Sequence, residues 1–391
     1  MMKHQRSAIL LGCTGSIGRT ALKGIGQLNR EIIVKALSAH SNITALAQAA
    51  CETKALAVCL TDPDGDMETL KANIPSSVHC YQGPQGLLDM LKDIDADIVL
   101  NGIVGAAGLP ATLAALETGK DVALANKESI VMAGQFLFSF AERLGRSIIP
   151  VDSEHSALYS LINAHGREEV EKLVITASGG PFRTLQKERF SDITVEQAIA
   201  HPTWKMGHKI SVDSATLANK GLEVIEASYL FGFSYTDIEV TVHPQSIVHS
   251  LVRLRNGAVY GQMSPSDMTL PIMEALSDGV LHLRQVVRPL DFSQLTLSFE
   301  APDYEKFPLL GHAFSCIKQG GSYCIAFNAA DEVAVQAFLD HRCGFMDISE
   351  IVDRTLQNDW RILPMDYAGV LEQDALARRI AAQALEKVTG R

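Results

Sequence analysis

Nothing in the sequence approaches the ~18 consecutive apolar residues that a membrane-spanning helix requires. The greasiest stretch, Ile130 to Phe140, is closed by Glu142 and Arg143, so no membrane partner is expected. Cysteine is present but unpatterned: the seven residues at 13, 51, 59, 80, 316, 324 and 343 are odd in number and contain no Cys-x-x-Cys spacing. That fits reduced thiols in a cytoplasmic protein better than a disulfide framework or a zinc knuckle. Excess positive charge is missing too, since 34 Lys and Arg stand against 45 Asp and Glu, for a formal net charge of −11. General polyanion binding, and nucleic acid with it, is therefore not expected, and any phosphate must be met by a local site. The apolar run Ala8–Leu11 behind Lys3 and Arg6 is too short for a signal peptide and runs into glycines. Internal repeats and low-complexity tracts are absent as well.

What remains is an ordinary globular composition, 47 % hydrophobic and 20 % charged over 391 residues. A length prior of about 150 residues per domain gives two or three domains. Ala8–Leu11, Ile32–Leu37, Ala57–Leu60, Ile98–Leu100, Val122–Ala125 and Ser147–Val151 have the composition of strands, and the segments between them are long enough for crossover helices. A doubly wound parallel sheet over residues 1–150 follows. Leu173–Ala177, Ser246–Arg255 and Ala258–Met263 predict further strands, the last two joined by the hairpin signal Asn256-Gly257. Residues 151–285 thus form a central α+β domain with antiparallel strands. Pro289, Pro302 and Pro308 mark 286–311 as an extended linker. Helical apolar spacing in His312–Lys318, Asn328–Asp340, Ile348–Gln357 and Glu372–Lys387 predicts a C-terminal helical bundle over 312–391.

The first strand runs into Gly12-Cys13-Thr14-Gly15-Ser16-Ile17-Gly18 and then a helical pattern. Glycines at such a turn let the backbone approach a pyrophosphate, whose charge meets the helix N-terminus, so the spacing predicts a dinucleotide site. The second strand ends at Ser38-Ala39-His40-Ser41-Asn42, with no acid to take the ribose diol of NAD. Neutral donors and a histidine there favour NADP, although the segment also reads as an ordinary polar loop. Ala125-Asn126-Lys127-Glu128-Ser129 closes a later strand, where Lys127 either bridges cofactor and substrate or forms a surface ion pair. Gly119-Lys120-Asp121 is no P-loop, because Ala114 takes the first glycine position and no Ser or Thr follows the lysine.

Polar chemistry concentrates in two further places. Asp152 and Glu154 stand just past a strand end, and Glu223 lies in a helical pattern. Three hard oxygen donors without sulfur suit Mg²⁺ or Mn²⁺ rather than zinc, while the first two would equally serve as helix N-caps. The segment His201 to Glu223 gathers Trp204, Met206, Ser214, Asn219 and Lys220, and from Ser214 onward its polar heads recur at about one helical turn. It fits either a grip on an oxygen-rich ligand or a solvated helix face. Ser178-Gly179-Gly180 ends another strand, where amides and the Ser178 hydroxyl could cradle a phosphate. No Gly-x-Ser-x-Gly or His-Glu-x-x-His frame accompanies these residues.

Gly12–Gly18, Ala125–Ser129, Pro150–His155, Ala177–Phe182, His201–Glu223, His243-Pro244-Gln245-Ser246 and Asn328–Glu332 together resemble the 1-deoxy-D-xylulose 5-phosphate reductoisomerase family over nearly the whole chain. The resemblance implies a Rossmann-like N-terminal domain, a likeness to cytoplasmic homodimers, and conversion of a small sugar phosphate to 2-C-methyl-D-erythritol 4-phosphate with NADPH and Mg²⁺ or Mn²⁺. It implies cofactor contacts at Thr14, Gly15, Ser16, Ile17, Ser41, Asn42, Asn126 and Glu128. Asp152, Glu154 and Glu223 would hold the metal with Lys127 beside it, and Ser178, Ser214, Asn219 and Lys220 the phosphate. Ser153 and His201 would touch substrate beneath a flap containing Trp204 and Met206. The chain departs from the family pattern at Ser41, at Thr269 in Ser266-Asp267-Met268-Thr269, and at Asp331. Two other readings use the same residues: a metal-dependent NADP reductase of another ketose phosphate, and a noncatalytic NADP-binding sensor. A sensor has little need of a carboxylate triad and Lys127.

Overall fold

The computed structural model describes residues 5–27, 31–204, 206–279, 283 and 285–390. It contains two compact units, one from Met1–Ser129, Leu137–Ser156 and Asp267–Pro289, the other from Ile130–Phe136, Ala157–Ser266 and Leu290–Arg391.

The first unit is built on seven strands: β1 Arg6–Leu11, β2 Ile32–Ala39, β3 Ala57–Leu60, β4 His79–Gln82, β5 Ile98–Asn101, β6 Asp121–Leu124 and β7 Ile148–Pro150. Their order is β4-β3-β2-β1-β5-β6-β7, and every neighbouring pair is parallel. All residues of β3 and β5 are buried, as expected of strands covered on both faces by crossover helices. The order reverses at β1, so the carboxyl ends of β1 and β5 flank the crevice where open α/β sheets bind ligands. Six of these strands match the sequence pattern. The seventh, β4, is an edge strand whose His-Cys-Tyr-Gln composition carries no apolar run to betray it. The chain also returns to this unit late, with Arg6 Nη1 donating to the carbonyl of Leu276 at 3.0 Å.

The second unit holds β8 Val170–Ala177, β9 Ile238–Val242, β10 Val248–Leu254 and β11 Val259–Met263 in the order β11-β10-β8-β9. β10 is antiparallel to β8 and β11, and β9 is parallel to β8. The hairpin at Asn256-Gly257 forms, with the amide of Leu254 donating to the carbonyl of Ala258 at 2.8 Å. β9 is an addition to the sequence expectation, and its signal was the alternation of Ile238, Val240 and Val242. Helices Pro308–Gln319, Tyr323–Leu339, Phe345–Leu356 and Tyr367–Thr389 fall where the apolar spacing predicts them and share one core with this sheet. Phe345 of the third of these helices packs edge-on against Phe182 and Phe190 of the segment that follows β8, with ring centroids 5.3 and 5.9 Å away. The Pro-rich stretch is strapped down rather than free, because Glu300 exchanges backbone hydrogen bonds of 2.8 and 2.9 Å with Val242.

Candidate active site

In the first unit, β1 delivers its chain into the glycine turn at the crevice. Gly12 takes φ +74°, and an added Cβ there would lie 2.9 Å from the carbonyl oxygen of Gly102, so only glycine permits the two loops to meet. Ser38 fixes the turn from below: its Oγ accepts from the amide of Gly12 at 3.2 Å and its carbonyl from that of Cys13 at 2.8 Å. Sequence reasoning gave Ser38 no such task, although a serine closing the apolar run of β2 was the available cue. Thr14 and Ile17 are half-buried, and Gly15 and Ser16 are exposed where the helix Ser16–Gln27 starts. Its first-turn amides offer an anion site at the mouth of the crevice. At the end of β2, His40, Ser41 and Asn42 are all exposed. Asn42 also has a structural task, since its Oδ1 accepts from the amide of Ala45 and caps the helix Ile43–Thr53.

Across the crevice, Asn101 organises the loop after β5. Its Nδ2 donates to the carbonyl of Gly108 at 2.9 Å and to Thr112 Oγ1 at 2.8 Å, and its Oδ1 accepts from the amide of Ile103. Asn126 caps the helix Lys127–Arg143 through Oδ1 and donates from Nδ2 to the carbonyl of Gly105 at 2.8 Å and to Glu128 Oε2 at 2.9 Å. Asn126 and Glu128 are buried and brace this loop. Lys127 is not a surface ion pair. Its side chain is 8 % exposed and its Nζ donates to Asp152 Oδ2 at 3.0 Å.

Asp152 stands at the start of the helix Ser153–His165, its Oδ1 accepting from the amide of Glu154 at 3.3 Å and its carbonyl from the amide of Ser156. It therefore does cap the helix, yet its second oxygen faces the Lys127 ammonium. Ser153 Oγ donates to Glu154 Oε2. The carboxylates here are thus held by donors that leave further lone pairs available.

In the second unit, β8 runs into Ser178-Gly179-Gly180. Gly180 takes φ +67°, and a Cβ on it would meet the carbonyl oxygen of Ser214 at 2.6 Å, so this turn and Ser214 are brought together. His201 Nδ1 accepts from the amides of Thr203 at 3.2 Å and Trp204 at 2.9 Å. Burial holds the imidazole below its usual pKa, so near pH 7 the ring is neutral with its proton on Nε2. That Nε2 donates to Ser178 Oγ at 3.0 Å, and the amide of Gly180 donates to the same oxygen at 3.2 Å. With its oxygen accepting twice, the Ser178 hydroxyl is set to donate outward, as a phosphate oxygen requires. Half-buried Trp204 lies 6.2 Å from the ring of His249, itself bonded to Ser264 Oγ. His249 is a seat for Trp204 that no sequence pattern disclosed. Met206 is half-buried, and Lys205 of this segment lies outside the described residues.

The single helical tail expected from Ser214 is in fact two helices, His208–Thr216 and Ala218–Phe231, broken at Leu217 with φ +59°. Packing overrides the residue's preference: Leu217 is buried, and Gly221 in the next turn lies close against Ala313. Asn219, Lys220 and Glu223 share the second helix. Asn219 Nδ2 donates to Glu223 Oε1 and Lys220 Nζ to Glu223 Oε2, with Lys220 and Glu223 both buried.

Family models match three stretches of the chain: 1-deoxy-D-xylulose 5-phosphate reductoisomerase over residues 8–134, its C-terminal domain over 148–231, and a DXP reductoisomerase C-terminal domain over 263–380. The 1-deoxy-D-xylulose 5-phosphate reductoisomerase of Treponema denticola is 44 % identical over 388 residues, 99 % of each chain. That of Zymomonas mobilis is 42 % identical over 99 % of this chain and 100 % of its own. The solved Zymomonas mobilis enzyme in complex with NADPH superposes with a TM-score of 0.90 at 42 % identity, covering 98 % of this chain and 99 % of that one. A DOX-P reductoisomerase in complex with NADPH, fosmidomycin and magnesium gives 0.89 at 36 % identity, covering 97 % and 98 %. Matched along most of its length by these family models, and 44 % identical to one relative over 99 % of its residues, the chain belongs to the 1-deoxy-D-xylulose 5-phosphate reductoisomerase family.

Proposed function

We propose that the chain converts 1-deoxy-D-xylulose 5-phosphate to 2-C-methyl-D-erythritol 4-phosphate, the rearranging and reducing step of non-mevalonate isoprenoid synthesis. It is an NADPH-dependent oxidoreductase that uses Mg²⁺ or Mn²⁺. The observation that carries the reading is the ion pair of buried Lys127 with half-buried Asp152 beside Glu154, just past the carboxyl ends of β6 and β7 in a dinucleotide-type sheet. Carbon-13 NMR of the product tests it: a branched methylerythritol phosphate is expected, and an unrearranged polyol would point to a reductase of another ketose phosphate.

Asp152, Glu154 and Glu223 are the residues we assign to the metal. The donor chemistry fits, since three carboxylates without sulfur or imidazole match a hard divalent cation. When bound, that cation supplies Lewis acidity to the substrate's ketone and hydroxyl oxygens. Lys127 places its ammonium beside the same oxygens, and Ser153 orients Glu154. Ser178, Ser214, Asn219 and Lys220 bind the phosphate, and His201 keeps the Ser178 hydroxyl aimed at it. Phosphate binding far from the reacting carbons holds them in position. Trp204 and Met206 cover the bound substrate and exclude water.

The phosphate assignment has a measurable consequence. Lys220→Ala removes a charge-assisted hydrogen bond worth roughly 1.5–3 kcal/mol, so kcat/KM should fall about ten- to a hundredfold. Mn²⁺ affinity should hold or rise, because the variant also takes a cation away from Glu223. A marked loss of Mn²⁺ binding would contradict the separation of roles.

The fit to NADPH rests on the glycine turn, with Thr14, Gly15, Ser16 and Ile17 at the pyrophosphate and His40, Ser41 and Asn42 at the 2′-phosphate. Asn126 and Glu128 hold the loop facing the nicotinamide. Ser41→Asp should cut the preference for NADPH over NADH by about tenfold, a screened like-charge repulsion of ~1.4 kcal/mol. An unchanged ratio of kcat/KM values would show that the 2′-phosphate is met elsewhere.

A homodimer is the proposed assembly. β11 is an edge strand whose Val259, Tyr260 and Met263 are exposed, and pairing with a second copy would cover it. Light scattering should read two chains. Among the described residues no helix is long and apolar enough to cross a membrane. All seven cysteines are free, which supports the proposed cytoplasmic location.

A further inference from the structure

Residues 286–311, which their prolines mark as linker, are tied to the end of β9 at three consecutive positions. Glu300 exchanges its backbone hydrogen bonds with Val242, and Thr241 Oγ1 donates to the same Glu300 carbonyl at 3.2 Å. The turn His243-Pro244-Gln245 takes hold of the two residues before it. His243 Nδ1 donates to the carbonyl of Ser298 at 2.9 Å, and its ring stacks on that of Phe299 with centroids 4.8 Å apart and planes 20° from parallel. Gln245 Nε2 donates to Ser298 Oγ at 2.9 Å, while its Oε1 accepts from the Ser298 amide at 3.3 Å. A buried imidazole and a half-buried carboxamide are thus both committed to holding a linker.

The contacts continue into the turn that bears Ser178. The amide of His243 donates to the carbonyl of Ala177, one residue before Ser178, at 2.6 Å. Gly179 sits between Arg183 and Val242, since a Cβ on it would lie 2.6 Å from Arg183 Cδ and 2.9 Å from Val242 Cγ1. Glu300 holds both of those neighbours. It binds Val242 through the backbone pair, and it binds Arg183 through an ion pair in which Nη1 donates to each carboxylate oxygen at 2.7 Å. Loops open more readily than strands and helices, and anchoring both neighbours of Gly179 removes that freedom from this turn.

We infer that the linker residues Ser298, Phe299 and Glu300 form a clasp for the phosphate site: gripped by His243 and Gln245, they position the Ser178-Gly179-Gly180 turn through Arg183 and Val242. Glu300 and Gln245 are positioning residues that act through the turn. The inference rests on the phosphate role proposed for Ser178.

Two substitutions loosen the clasp without altering its charge. Glu300→Asp keeps the carboxylate but draws it back by one methylene from Arg183, and Gln245→Leu keeps most of the volume but cannot bond Ser298. Each should raise KM for the sugar phosphate about three- to fivefold, the loss expected of one exposed or half-exposed polar contact. The inhibition constant of glycerol 3-phosphate, a small phosphate monoester that competes with substrate, should rise by the same factor. kcat, KM for NADPH and Mn²⁺ affinity should change little. A merely structural role would lower the melting temperature and leave glycerol 3-phosphate inhibition where it was. Ser178→Ala is the reference, since it removes the hydroxyl itself and should raise the same inhibition constant about tenfold. Unchanged inhibition in either clasp variant, with Ser178→Ala impaired, would overturn the inference and leave the phosphate reading standing. Unchanged inhibition in Ser178→Ala would instead remove the phosphate reading, and the inference with it.

Discussion

Glu223→Gln should lower kcat by roughly a thousandfold, the upper range for loss of one preorganised electrostatic group, and should weaken Mn²⁺ binding at the same time. The substitution keeps the side chain's shape and one acceptor oxygen for Lys220 or Asn219, but removes the charge. Two effects must be told apart. Loss of a carboxylate ligand reduces the counter-charge available to the substrate oxygens in the transition state, which acts on kcat. Loss of the buried partner of Lys220 costs stability, roughly 3–5 kcal/mol where one member of a buried pair is removed. Melting temperature reads the second effect without substrate, and electron paramagnetic titration with Mn²⁺ reads the first. Lys220→Ala supplies the contrast, since it removes the same ion pair and leaves the carboxylate. A Glu223→Gln protein that binds Mn²⁺ as tightly as wild type would remove Glu223 from the metal set.

The parts of this molecule that were legible from sequence are those decided by neighbours along the chain. β3 lies where its apolar run predicts it, and the glycine turn after β1 announces itself because Gly12, Gly15 and Gly18 sit between a strand pattern and a helix pattern. At Asp152 the helix-cap reading is the one the local sequence disclosed, since one oxygen caps a helix, while the contact of the other with Lys127 depends on a residue 25 positions away. What stayed hidden depends on distant packing. Leu217 breaks a helix against its own steric preference because the surrounding helices dictate the turn. Lys209 reaches Asp331 across 122 residues, and no pattern in either segment sets that register. The chain's return to the first unit at Asp267–Pro289 was equally invisible, because its helix Thr269–Ser277 carries no mark of which core it serves.

Metal removal bears most directly on the central claim, that the carboxylates and the dinucleotide sheet serve one reaction. NADPH oxidation is followed with 1-deoxy-D-xylulose 5-phosphate before chelation, after exhaustive chelation, and after Mg²⁺ or Mn²⁺ is restored, with folding monitored throughout. Lewis-acid polarisation and substrate templating together contribute several kcal/mol, so chelation should cut the rate by roughly a thousandfold or more while the melting curve still shows a folded protein. Either metal should restore it, with one NADPH consumed for each methylerythritol phosphate formed. Full activity after chelation, or NADPH oxidation without formation of that product, would contradict the account.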